Sequence, residues 1–185
     1  PEFFRARDMK TQFGNPYVFF ASYYYDWKAE RMGYVAPLSE ILAITLPHRV
    51  LPAIGRREIW PYWNYIDKWW LDSKFLPYWD NDGTIISKDK TILASAYIIN
   101  GQKKAVLVVA NWDFKNKDAE LVIDPGKIFE KPGTLSITRN ALNKKLKLDD
   151  RTLVVPLIKR SFVFIELEEK APGDYQLQLI EIKTR

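Results

Sequence analysis

Six consecutive apolar residues, Ala105-Val106-Leu107-Val108-Val109-Ala110, constrain the fold of this chain more than any other feature. A half-exposed strand alternates apolar with polar residues, so an unbroken run of strand length bounded by turn signals belongs to a strand buried on both faces. Such a strand sits in the middle of a sheet, with further layers above and below. Asn100-Gly101 lies just before the run and Thr91–Ile99, rich in β-branched and aromatic residues, before that. Asn-Gly between two apolar runs predicts a hairpin with a type I′ turn, which needs positive φ at both central residues.

Strand signals then recur to the end of the chain. Thr84–Ser87, Ala119–Ile123, Thr134–Thr138, Lys145–Leu148, Thr152–Leu157 and Ser161–Leu167 each alternate or run apolar between turn residues. With the hairpin this makes seven or eight short strands at a spacing of about 8–12 residues, as in an antiparallel β-sandwich. The fold class expected is therefore mainly β. Tyr175–Lys183 shifts phase in its middle and reads either as an added edge strand with a bulge or as a short helix.

The first part of the chain differs. Six of the seven tryptophans, His48 and both methionines precede residue 80, and Asp80-Asn81-Asp82-Gly83 is a strong turn signal. We place a boundary there, with an α/β segment over 1–80, the sandwich over 81–168 and a tail over 169–185. Pro16–Tyr25 reads as a buried strand. Pro37-Leu38-Ser39-Glu40 opens a helix that Ser39 can cap, and Ile59, Trp63, Ile66, Trp69 and Trp70 recur at helical period in a second helix over Gly55–Trp70. One strand and two helices, with no second strand before residue 80, cannot close a sheet. The segment is expected to be the end of a larger (β/α) unit, and a chain beginning at Pro1 to be a piece of a longer product.

Composition narrows the chemistry. The absence of cysteine excludes disulfides, thiolate metal sites and a thiol nucleophile, and His48 has no second His beside it, so no metal or cofactor is expected and a structural role for His48 is favoured. A formal charge of +5 is spread over separate basic runs, at Arg56-Arg57 and at Lys144–Lys147, rather than gathered beside stacking aromatics. Nucleic acid is not an expected partner. No run reaches the roughly 20 apolar residues of a membrane-crossing helix.

Two local patterns suggest carbohydrate. Trp60-Pro61-Tyr62-Trp63 is echoed by Leu76-Pro77-Tyr78-Trp79, and indole or phenol faces stack on the C–H faces of pyranoses while nearby carboxylates and amides bind the hydroxyls. Trp60, Tyr62, Trp63, Tyr78 and Trp79 are the candidate sugar-binding residues; the bland reading is that they are core. Tyr23-Tyr24-Tyr25-Asp26-Trp27 follows an apolar strand, and residues just beyond barrel strands line active sites. Asp26 and Glu30 are the candidate catalytic pair, since glycoside cleavage normally takes two carboxylates; the bland reading makes Asp26 a turn cap and Glu30 a solvated charge.

Phe75-Leu76-Pro77-Tyr78-Trp79, then Thr91–Tyr97, Ala105–Trp112, Leu121-Val122-Ile123-Asp124 and Arg160–Ile165 together resemble the C-terminal end of large bacterial glycoside-hydrolase-like proteins. The resemblance covers residues 58–168. It implies an accessory β-sandwich packed on a catalytic (β/α) barrel, of which residues 1–70 are the closing strand and helices. It also implies that the catalytic residues lie upstream, that this chain alone is not catalytic, and that its partners are glycan or the barrel. If such a parent is secreted, the setting is extracellular or periplasmic. The rivals are an autonomous carbohydrate-binding module, with its aromatics exposed, and an interaction domain forming oligomers, with its aromatics buried against another chain.

Overall fold

A computed structural model describes residues 18–19, 37–52, 57–129, 134–140, 146–149 and 151–170. The expected tail element at Tyr175–Lys183 lies outside them, as do all but Val18 and Phe19 of the strand expected over Pro16–Tyr25.

The sandwich consists of two antiparallel sheets. One has five strands in the order β3 (Ser73–Leu76), β5 (Ile92–Ile99), β6 (Lys104–Asn111), β11 (Ser161–Lys170) and β8 (Thr134–Asn140); the other has four, in the order β4 (Ile85–Ser87), β7 (Lys117–Ile123), β10 (Thr152–Leu157) and β9 (Lys147–Asp149). Nine strands are one more than the pattern suggested. The addition is β3, which precedes the turn at Asp80–Gly83 and pairs Phe75 with Tyr97 and Leu76 with Ala96.

β6 is the middle strand of the larger sheet and is buried on both sides. Its period of two sends Ala105, Leu107 and Val109 into the space between the sheets, against Ile92, Ala94, Leu121, Ile123, Leu153, Val155, Val163, Ile165 and Leu167. Val106 and Val108 point the other way, into a second core with Tyr97, Phe164, Leu42, Leu46, Tyr65, Ile66, Trp69 and Trp70. That core lies beneath a layer built by residues 37–50 and 57–70, so the described residues form a third layer outside the sandwich. The apolar faces of the N-terminal helices are thus covered by the sandwich itself.

The third layer holds α1 (Leu38–Thr45), a 3-10 turn at Leu46–His48, and α2 (Trp60–Ile66), which follows a 3-10 turn at Arg57–Ile59. The N-cap of α1 is Pro37, with no side-chain cap bond, so Ser39 lies inside the first turn rather than capping it. The second helix is shorter than its apolar period implied, although Asp67 N–H to Trp63 O and Trp70 N–H to Ile66 O carry helical bonding on to Trp70. Outside both sheets, β1 (Val18–Phe19) pairs in parallel with β2 (Leu51–Pro52), Val18 opposite Leu51 and Phe19 opposite Pro52. A second strand therefore does precede residue 80, two residues long and too short for an apolar pattern to show.

The turns redistribute one expectation. β5 and β6 are joined by four residues, Asn100–Lys103, with Gln102 N–H bonded to Ile99 O. Gly101 has φ +66° but Asn100 does not adopt positive φ, so the type I′ turn expected there is absent. That geometry occurs instead at Asp82-Gly83, with φ of 50° and 68° and a Thr84 N–H to Asn81 O bond of 2.9 Å. Asn81, buried, holds the loop from both sides, its amide donating to Ile85 O and its carbonyl accepting from Ile85 N–H.

Trp70 is the largest fully buried side chain and stacks on Tyr97 at 5.1 Å. Trp70→Ala is expected to cost about 3–5 kcal/mol by loss of buried area and the cavity left behind. Leu71→Ala, at a residue 75% exposed next to it, is expected to stay within about 0.5 kcal/mol. Urea unfolding of both variants measures the difference, and equal costs would mean that the third layer is not seated as described.

Candidate functional site

The aromatic residues gather where α1 and its 3-10 extension meet β5 and β6. A helix end leaves its last carbonyls without intrahelical partners, and here side chains distant in sequence supply the donors. Trp112 Nε1–H donates to Ala43 O at 3.0 Å, Tyr97 Oη–H to Leu46 O at 2.6 Å, and Ser95 Oγ–H to Pro47 O at 2.7 Å. Ser95 Oγ also accepts from Tyr78 N–H at 3.0 Å, which ties the turn after β3 to the same point. Burial pushes the Tyr97 phenol well above its ordinary value, keeping it a neutral donor.

His48 closes this junction. Its Nδ1 lies 2.6 Å from Ile44 O and its Nε2 lies 3.2 Å from Tyr78 Oη. A carbonyl only accepts, so Nδ1 carries the proton and the neutral ring's Nε2 accepts from the tyrosine. The imidazole stacks on Trp79 at 5.7 Å and 19° and meets the edge of Tyr78 at 5.4 Å. Burial lowers its pKa, only partly opposed by the bond to Ile44. With both ring nitrogens engaged, His48 is a structural joint. Among the described residues no cluster of three His, Asp or Glu could hold a metal ion.

The five sugar-binding candidates are divided among different settings. Tyr78 and Trp79 wrap His48. Tyr62 is half-buried, packs on Phe162 at 6.0 Å, and has its phenol pKa raised by burial. Trp63 is half-buried, while Trp60 is 64% exposed. α2 explains the split: Ile59, Tyr62, Tyr65, Ile66, Trp69 and Trp70 form the stripe facing the sheet, and Trp60, Trp63, Asn64, Asp67 and Lys68 form the opposite one. Of the five, only Trp60 is strongly exposed, so they do not form one common platform. Asp26 and Glu30 lie outside the described residues.

Two further features were not legible in the sequence. Lys117 Nζ is held by Asp89 Oδ2 and Asp113 Oδ2, both at 2.6 Å, and by Thr91 Oγ1 at 2.8 Å. The bond to Lys117, with those from Thr91, takes the Asp89 pKa down to about 2, and Lys117 is raised in turn, chiefly by its bonds to Asp113 and Asp89. Beside this clamp Tyr78, Ile85, Ser87, Asp89, Lys90 and Leu93 line an open cleft of about 250 Å³. Its polar groups are largely spent within the turn: Ser87 Oγ donates to Asp89 O and accepts from Asp89 N–H, and Asp89 Oδ1 accepts from Thr91 N–H and Oγ1–H.

The two depressed groups act in different pH windows. Unfolded His48 takes up a proton near the ordinary imidazole value of 6.5 while the folded ring resists it, so stability rises with pH through that region and is lost as pH falls below about 6.5. Asp89 contributes stability that is present above 3.8 and lost as pH falls toward 2. Melting temperatures are expected to fall between pH 7 and pH 5 in the wild type and to fall less in His48→Gln. Identical slopes in the two proteins would assign the acid sensitivity to another group.

None of the curated proteins matches the chain. Residues 55–152, more than half of its length, match the family model described as glycoside hydrolase 123, C-terminal domain, and span α2, β3 to β7, α3 (Pro125–Phe129), β8 and β9. By that match this β-sandwich, with the helix that leads into it, belongs to the glycoside hydrolase 123 C-terminal domain family.

Proposed function

We propose that the chain is the C-terminal accessory part of a glycoside-hydrolase-type protein, its sandwich serving as the foundation for the end of a parallel catalytic barrel. The observation that carries this reading is the pair β1 and β2, two parallel strands with α1 lying between them in the chain. Strand, helix and parallel strand make a βαβ unit, and parallel sheets are built with helices covering them and further strands beside them. Two residues per strand are too few to stand as a sheet. The same α1 packs on β2 and on β6 and β11 of the sandwich, so one helix would belong to both bodies. The natural partner of this surface is then the remainder of a barrel, and a glycan the ligand of the whole.

A carbohydrate-binding role for the chain alone is the second reading, favoured by the exposure of Trp60. It differs in needing no barrel. Release of nitrophenol from a panel of aryl glycosides separates the enzymatic question. The chain alone is expected to release none, while a longer product of the same gene is expected to be active and to lose thermal stability of that activity in Trp70→Ala. Turnover by the chain alone, abolished in Asp26→Asn or Glu30→Gln, would sink the accessory reading.

A further inference from the structure

We propose that Asn100-Gly101 is a site of self-modification, where the backbone closes on the Asn100 side chain and converts it to an acid, and that Asp72 makes the seat of β3 sensitive to the change. The backbone nitrogen after an asparagine can attack the side-chain Cγ. An N–Cγ bond forms, the Cγ–Nδ2 bond breaks, the amide nitrogen takes up the proton lost from the attacking N–H and leaves as ammonia, and a five-membered imide remains. Water then opens the imide. Cleavage of the new N–Cγ bond gives aspartate, and cleavage at the backbone carbonyl gives isoaspartate, whose main chain runs through Cβ and Cγ. No electrons change hands, and water is the only co-reactant.

Three observations place this chemistry here. Asn100-Gly101 is the only Asn-Gly pair in the sequence, and a glycine leaves the attacking nitrogen unshielded and its backbone free to turn. The asparagines at 64, 81, 111, 116 and 140 precede Tyr65, Asp82, Trp112, Lys117 and Ala141, whose side chains crowd the attack. Asn81 and Asn111 are also buried, with their side-chain amides engaged. The second observation is space: Asn100 and Gly101 are both exposed, and a Cβ built on Gly101 would meet nothing within 4 Å. The third is that the bond closing this turn runs from Gln102 N–H to Ile99 O, which leaves the Gly101 N–H outside it.

The structural consequence lies across the strand pair. Asn100 Nδ2 donates to Asp72 Oδ1 at 3.0 Å, and Asn100 N–H donates to Asp72 O at 3.1 Å. This double tie stands next to Ser73 opposite Ile99, where the pairing of β3 with β5 begins. Conversion removes the amide donor and sets a carboxylate against the Asp72 carboxylate, and like charges facing each other across strands repel. Isoaspartate also lengthens the main chain of the turn. Among the described residues β3 pairs with β5 alone, and Ser73 O and Trp70 O both accept from Arg49. The modification therefore loosens, in one direction only, the strand start that links the helices to the sandwich.

The test incubates the whole chain in mildly alkaline buffer and follows its tryptic peptide Thr91–Lys103, in which Asn100 is the only asparagine. The expected result is that this peptide gains the mass of an amide-to-acid exchange before any other asparagine peptide does. It is also expected to split into two products of equal mass, one aspartyl and one isoaspartyl. Asn100→Asp is expected to lower the melting temperature by roughly 2 °C, the size that losing one exposed hydrogen bond and gaining an exposed repulsion implies. Asp72→Asn in that background is expected to recover most of the loss, because donor and acceptor then exchange places. A Thr91–Lys103 peptide that stays unmodified, or changes no faster than the other asparagine peptides, would overturn the site. Asn100→Asp as stable as the wild type, or a loss that Asp72→Asn does not repair, would overturn the part assigned to Asp72.

Discussion

The structure depends on how the C-terminal end of α1 is received by the five-stranded sheet. Carbonyls that a helix cannot satisfy itself are costly to bury, and α1 ends against a sheet, where water is excluded. The solution is a set of donors placed at matching intervals: Trp112 for Ala43, His48 for Ile44, Tyr97 for Leu46 and Ser95 for Pro47. Thr45 O is met by the Val50 N–H. Each carbonyl has its own donor, and Ser95 and Tyr97 are two residues apart on one strand, so they present their hydroxyls on the same face. A helix displaced along the sheet would leave several buried acceptors unmet together, at about 1–3 kcal/mol each. The arrangement therefore fixes position as well as contributing stability.

Around that joint the larger sheet serves two cores, and the pleat decides which side chain serves which. On β5, Ile92, Ala94 and Ala96 face the smaller sheet while Leu93, Ser95 and Tyr97 face the helices; on β11, Val163, Ile165 and Leu167 face inward while Phe162 and Phe164 meet the aromatic layer. The inner core is aliphatic and the outer one aromatic. Small inward residues such as Ala94, Ala96 and Ala105 let the sheets approach, whereas the outer layer has to fill the uneven space beneath two short helices, which large flat rings do well. Glu166, also on the outer face, accepts from Tyr65 Oη at 2.8 Å, so even the polar residue of that alternation is tied to α2.

How much of this was legible in the sequence follows from the range of each interaction. The run Ala105–Ala110 announced a strand buried on both faces because burial is written residue by residue, and the alternation of Ser161–Leu167 was readable for the same reason. The turn assignments fared unevenly: Asn100-Gly101 and Asp82-Gly83 carry the same local signal, yet only the second adopts positive φ at both residues, because the first spans strands whose register leaves four residues to connect. β3 and β2 were missed since strands of four and two residues carry too little pattern, and pairing with a long neighbour or a parallel partner makes them strands. The joint at α1 was invisible because three of its donors, Ser95, Tyr97 and Trp112, lie 48 to 69 residues from their acceptors. Pro-Tyr-Trp occurs twice, and the same three residues lie on a helix at Tyr62 and in a turn around His48 at Tyr78. Candidate residues chosen by type alone could not be told apart until the layer beneath them was known.

The fixed seat of α1 has a consequence for function that neither sheet has by itself. α1 touches β2 on one side and β6 and β11 on the other, while Arg49, in left-handed backbone at φ 58°, turns the chain from α1 toward β2 and reaches Trp70 O and Ser73 O with its guanidinium. The side chain thus joins the end of α2's helical bonding to the start of β3. α1, α2 and β3 become one body with the sandwich, and β2 packs on that body through α1. Catalytic and binding groups at strand ends work only if placed to within a fraction of an ångström, and short strands with few partners cannot supply that precision themselves. A broad, doubly packed sheet behind a single well-capped helix can, and that is the physical content of the accessory role proposed above.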